Sequence, residues 1–189
     1  MSLIDTYIEF TKRWEGGLSR ATTDTASKNP CPTAYGGKTG WHTNIGITYP
    51  VWVSVFGKSN DTRFFEMNHA DWFNVFKTLY WNSMRASEYN SMNVAIIITG
   101  MAWGSGKKQA ILSLQQAILD CHIKVEKDGI LGNATIAAVN SIPPQIMFDA
   151  IANERERFFR YIGRPCTKNS VNLKGWLNRL ADYKKTFRP

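Results

Sequence analysis

Cysteine is scarce: Cys31, Cys121 and Cys166 are an odd number at wide, unequal spacing, which excludes a disulfide framework and a CxxC metal knuckle. Three reduced thiols are expected, and Cys31 and Cys121 lack the local context of a thiol nucleophile. Histidine is equally rare, and His42, His69 and His122 lack the close pairing of a HExxH-type site, so neither a metal nor any other cofactor is expected. Long apolar runs are missing too. The most apolar stretch, "VAIIITGMAW" from Val94 to Trp103, has ten residues where a membrane span needs about 20, so it reads as a buried helix and no stable membrane insertion is expected. The N-terminal "MSLIDTYIEFTKRW" is broken by charges at Asp5, Glu9, Lys12 and Arg13 and lacks the apolar centre of a signal peptide. The expectation is synthesis in the cytoplasm and release by a non-classical route.

What the chain does contain is enough apolar material to fold: of its 189 residues 43% are hydrophobic and 13% aromatic, which supplies one good-sized core or two smaller ones and excludes a disordered tail protein. Acidic residues are outnumbered, 15 against 23 Lys and Arg, for a formal charge of +8. Such a surplus favours an anionic partner: a nucleic acid, an acidic membrane face or an acidic wall polymer. Its second half concentrates bases such as Arg155, Arg157, Arg160, Lys184 and Lys185, which serve equally as a solvated helical surface or as steering charges. No helix-turn-helix or RNA-binding signature accompanies them, so no nucleic-acid partner is expected.

Helical spacing governs most of the chain. Leu3, Ile4, Tyr7, Ile8 and Thr11 form one face, and Gly16-Gly17 offers a stop just after Glu15. From Leu18 to Thr48 periodicity vanishes amid Pro30, Pro32, Gly36, Gly37, Gly40 and Gly46, which predicts a long loop with short strands, "HTNIGIT" being the best strand candidate. Asn68 caps a further helix whose aromatic face carries Trp72, Phe73, Phe76, Leu79 and Tyr80. Helices are predicted from Met92 to Trp103 and Lys107 to about Leu119, then a short one after "EKDGILGN", and two more opened by Pro143-Pro144 and carried by Leu173, Trp176, Leu177, Leu180 and Tyr183. The fold class is therefore mainly α, a helical bundle with a small irregular or β portion near the N-terminus.

Two carboxylates stand out in "RWEGGLSRATTDTASK". Cleaving a glycosidic bond needs one carboxyl that donates a proton to the leaving oxygen and usually a second that stays ionised. Glu15 follows Trp14 at the end of an amphipathic helix, the kind of apolar setting a proton donor needs, and Asp24 lies among threonines, whose hydroxyls suit an ionised partner. A Glu before Gly-Gly is equally a solvated helix end, and an Asp among threonines equally a turn or cap. Residue spacing alone leaves both readings open. Tyr35, Trp41, Tyr49 and Trp52 could stack on sugar rings or belong to the core, His42 could touch substrate or be ordinary surface, and Trp103, beside Gly104 and Gly106, is the aromatic residue expected in a cleft.

The succession Glu15-Gly16-Gly17, Asp24 and "GWHTNIGIT" resembles the N-terminal signature of the glycoside hydrolase family 108 muramidases, a group that includes phage endolysins and secretion activator proteins. "MAWGSGKKQAILSLQQAI" and "DGILGNATIAAVN" are similar to the predicted peptidoglycan-binding domain that follows in those proteins. The Glu, the Asp nine residues on, and a Thr followed by Ile-Gly-Ile also resemble the Glu-Asp-Thr arrangement of phage lysozymes. The segment "ASKNPCPTAYGGKTGWH" before Thr43 is longer than the family's.

This resemblance implies an α+β lysozyme-like fold, with Glu15 as general acid, Asp24 as second carboxylate and Thr43 holding the attacking water. It also implies a catalytic domain over residues 1–91 and a helical peptidoglycan-binding domain over 92–189, packed as one unit. The expected activity is N-acetylmuramidase cleavage of the wall glycan, by a monomer that a holin-like pore could release. The alternative is a non-catalytic wall-binding or secretion-assisting protein. Trp41, His42, Tyr35 and Trp103 are the expected substrate contacts.

Overall fold

In the computed structural model, residues 2–18, 43–58 and 61–189 are described. Helix α1 spans Leu3–Glu15. The Ser2 hydroxyl accepts the Asp5 backbone N–H at 3.2 Å, while the Asp5 carboxylate accepts the Ser2 backbone N–H at 2.9 Å. This reciprocal cap satisfies two N–H groups that the first helical turn leaves free. Tyr7, Ile8, Phe10 and Thr11 form the buried face. Gly16 then takes φ +68°, ending the helix so that Glu15 is its last residue.

The stretch read as a strand reverses on itself. Strands β1 (Thr43–Asn44) and β2 (Ile47–Thr48) pair antiparallel, Thr43 opposite Thr48 and Asn44 opposite Ile47. Ile45 and Gly46 make the two-residue turn at φ +48° and +75°, the positive-φ pair of the tight hairpin turn whose twist matches its strands.

The chain continues into helices α2 (Tyr49–Phe56), with Pro50 in its first turn, α3 (Asp61–Phe65) and α4 (His69–Phe76). Asn68 caps α4 by accepting the Asp71 N–H at 2.9 Å. The Asp71 carboxylate is buried and taken by Arg63. Beyond Phe76 the helix widens into a π-helical turn, Lys77–Trp81.

The core of this first part is aromatic. Trp72 stacks on Phe76 with ring centroids 5.3 Å apart, Phe76 meets Tyr7 at 5.0 Å, and Trp52 packs on Phe56 and Phe64 at 4.2 and 5.8 Å. Tyr49 and Trp52, weighed as sugar-stacking residues, are buried here.

Contacts divide the chain into two compact units, Met1–Leu79 and Tyr80–Pro189. The boundary that the family resemblance implies is 91/92.

In the second unit a 3₁₀ turn, Ala86–Glu88, precedes α5 (Met92–Ser105), α6 (Lys107–Asp120), α7 (Asn133–Ser141), α8 (Pro144–Ile162), a second 3₁₀ turn (Ser170–Asn172) and α9 (Leu173–Phe187). Every residue of α5 from Val94 to Ala102 is buried, because α6, α8 and α9 pack around it. A helix apolar on all sides needs such a central place. Buried Gln115 on α6 clasps the Asp128-Gly129 turn, donating to Asp128 Oδ1 at 2.8 Å and Ile130 O at 3.0 Å and accepting the Gly129 N–H at 2.9 Å. Buried Arg155 lays its guanidinium 4.9 Å from the Tyr183 ring centre and 5.4 Å from that of Phe159. The architecture is mainly α with one small hairpin, as the sequence indicated. No helix among the described residues is long and apolar enough to cross a membrane.

Candidate active site

Glu15 is half-buried at the end of α1, and its side chain lies on the hairpin turn. A Cβ added to Gly46 would stand 2.8 Å from Glu15 Oε2, 2.9 Å from its Cγ and 3.0 Å from its Cδ. The space a side chain would take at position 46 is thus filled by the acid. Thr43 is on β1 of the same hairpin, opposite Thr48.

The hairpin has only two residues in each strand and is held from outside. Buried Asn44 donates through Nδ2 to Phe64 O at 2.8 Å and to Phe65 O at 3.2 Å, tying β1 to the end of α3. The indole N–H of Trp72 donates to Ile45 O at 3.0 Å, tying the turn to α4. Ile45 needs such a tie. At φ +48° a β-branched residue is strained, costing about 1–2 kcal/mol relative to ordinary backbone, where Asn or Gly would sit at little cost. Strain of this kind persists where surrounding contacts over-determine the backbone. A carboxyl seated on so constrained a turn has the defined position that proton transfer to or from a bound group requires.

The other expected site residues are not all placed. Asp24, Tyr35, Trp41 and His42 lie outside the described residues. Trp103 belongs to the second unit, where it is half-buried near the end of α5 with its ring centre 4.9 Å from that of Tyr80 and the planes at 54°. Among the described residues nothing lies within 4 Å of a Cβ placed at Gly104 or Gly106, so neither glycine serves a close helix contact; Gly106, at φ +83°, turns the chain from α5 into α6.

Gly46, Asn44 and Trp72 are the site residues that spacing did not reveal. The signal was partial: a glycine inside "TNIGIT" marks a break in a strand, but its contact with a residue 31 positions earlier (46 − 15) has no local signature.

Residues 8–106 match the family model described as Glycosyl hydrolase 108, and residues 109–181 match that described as Predicted Peptidoglycan domain. No curated protein matches the chain. Among solved structures, that of Brucella abortus SagA superposes with a TM-score of 0.71 at 19% identity, covering 96% of this chain and 91% of that one. At that identity the likeness is one of fold.

Proposed function

The chain belongs to the glycosyl hydrolase 108 family, and from that premise we propose that it cleaves the peptidoglycan glycan between N-acetylmuramic acid and N-acetylglucosamine with Glu15 as the proton donor. The observation that carries this reading is the seat of Glu15 on Gly46, which gives one carboxyl a defined place beside the hairpin that also bears Thr43. In the reaction, the Glu15 carboxyl protonates the leaving glycosidic oxygen as the C–O bond lengthens and positive charge develops on the sugar. Asp24 is the second carboxylate, stabilising that charge or activating water, and Thr43 holds the attacking water. These two roles rest on the motif order rather than on distances.

Tyr35, Trp41, His42 and Trp103 are the proposed substrate contacts, aromatic faces suited to stacking on sugars. The match of residues 109–181 to a peptidoglycan domain supports wall attachment, and the +8 charge favours approach to a polyanionic wall. A monomer acting on the wall after release through a holin-like pore or by lysis fits this assignment.

The test is Glu15→Gln, which keeps the side chain's size and removes the acid. Clearing of purified walls should fall by at least about 100-fold, the scale of one lost general acid, while mass analysis of fragments from the parent shows N-acetylmuramic acid reducing ends. Undiminished clearing by Glu15→Gln would remove Glu15 from its role. Wall binding without released fragments from the parent protein would favour a binding function instead.

A further inference from the structure

We infer that the Ile45-Gly46 turn, clamped by the Trp72 indole, sets the position of the Glu15 carboxyl, so that Gly46 and Trp72 are positioning residues of the reaction. This rests on the reading of Glu15 as the proton donor.

The contacts close a circuit. Tyr7 on α1 meets Phe76 at 5.0 Å, and Phe76 stacks on Trp72 at 5.3 Å with planes 12° apart. Trp72 donates its indole N–H to Ile45 O at 3.0 Å. The next residue, Gly46, lies against Glu15, and Glu15 ends the same helix that carries Tyr7. Tyr7, Trp72 and Phe76 are each essentially inaccessible to solvent, so the circuit runs through packed core. Asn44 steadies the strand leading into the turn.

Two features of the turn are hard to explain by hairpin formation alone. A tight turn of this kind favours Asn or Gly at its first position, yet Ile45 stands there at φ +48°, held by the bond to its carbonyl. Gly46 is required for its own φ of +75°, but a Cβ at that position would also meet three atoms of one side chain, Oε2, Cγ and Cδ of Glu15, at 2.8–3.0 Å. A glycine needed only for its backbone angle would cost the same to replace whatever residue 15 is. A glycine that seats the acid would not. Moving Trp72 would move Ile45 and Gly46 with it, and the carboxyl would lose its seat without losing its chemistry. Displacements of about 1 Å suffice to cost a reaction two orders of magnitude in rate.

The proposal divides into a substrate-free test and a kinetic one. Gly46→Ala, Glu15→Ala and the double variant form a cycle read by thermal unfolding. The melting-point drop caused by Gly46→Ala should be at least halved when Glu15 is already Ala, because the colliding side chain is gone. An equal drop in both backgrounds would overturn the seat.

Trp72→Phe keeps an aromatic ring on Phe76 and removes the N–H. On soluble glycan fragments of peptidoglycan its kcat should fall about ten-fold or more, with KM within two-fold and a shifted pH profile of kcat. A variant with unchanged kcat and pH profile would overturn the role of the indole, whatever its melting point. Were Glu15→Gln to remain lytic, the function above would fail, while the unfolding cycle would still judge the turn.

Discussion

Replacing Asn44 with Ala tests how the hairpin is anchored. Asn44 is 5% exposed, and its amide supplies hydrogen bonds to Phe64 O at 2.8 Å and Phe65 O at 3.2 Å. Those carbonyls close the short helix α3, where no further helical turn offers them an N–H. Phe64 is fully buried and Phe65 nearly so, which keeps replacement water from either oxygen. A buried polar group stripped of its partner costs about 1–3 kcal/mol. With the shorter bond near the middle of that range and the longer one near the bottom, Asn44→Ala should cost about 3 kcal/mol. For a chain of this size that is a fall of roughly 6–12 °C in melting temperature if it melts in one transition. Asn44→Asp provides the sharper comparison. It preserves the shape but faces two carbonyl oxygens with a third acceptor, so it should be less stable than Asn44→Ala at pH 7. Calorimetry of the three proteins decides the matter. An Asp variant within about 0.5 kcal/mol of the parent would show that these bonds do not hold the hairpin.

In the second unit, Gln115→Ala leaves the Asp128-Gly129 turn without its clasp and should cost about 2–4 kcal/mol by denaturant unfolding, since three hydrogen bonds from a buried amide are lost. The Asp128 carboxyl, held below its ordinary range by the Ile130 N–H and by Gln115, should titrate higher in that variant by NMR. Glu154 behaves oppositely: burial raises its carboxyl, with Arg157 pulling against the rise. The folded protein therefore keeps that proton to higher pH than the unfolded chain, and stability is lost as pH climbs through the unfolded and then the folded value. Glu154→Gln should be more stable than the parent at pH 7 in urea, with the advantage fading as pH falls below about 4. An advantage that grows toward acid would refute this sign.

Much of the helical plan was legible because punctuation and period agree. Gly16-Gly17 ends α1, Pro143-Pro144 opens α8, and the uniformly apolar run from Val94 is the buried α5. Helices α2 and α3 have no such signal: "YPVWVSVF" is apolar on nearly every position, so it has no 3.6-residue stripe, and "DTRFF" is a single turn and a half. The change between units at Leu79/Tyr80 has no loop to mark it, since the π-helical turn Lys77–Trp81 runs across it.

The reversal inside "TNIGIT" escaped for a different reason. Ile is a strand former, and the bond from Trp72, 27 positions away, helps hold Ile45 in a turn. At the site, Glu15 and Thr43 came from motif order, whereas Gly46 and Trp72 emerge from contacts between residues distant in sequence, which no period or spacing records.

The order of synthesis gives the hairpin's outside support another meaning. Glu15 leaves the ribosome well before Phe64, Phe65 and Trp72, and its seat is incomplete until Phe64 and Phe65 have supplied their carbonyls and Trp72 its indole. A nascent chain, or an N-terminal fragment cut before Trp72, carries the acid without the framework that aims it. Under the proposed role of Glu15, an enzyme directed at the cell wall gains its reactive geometry only once most of its first unit exists.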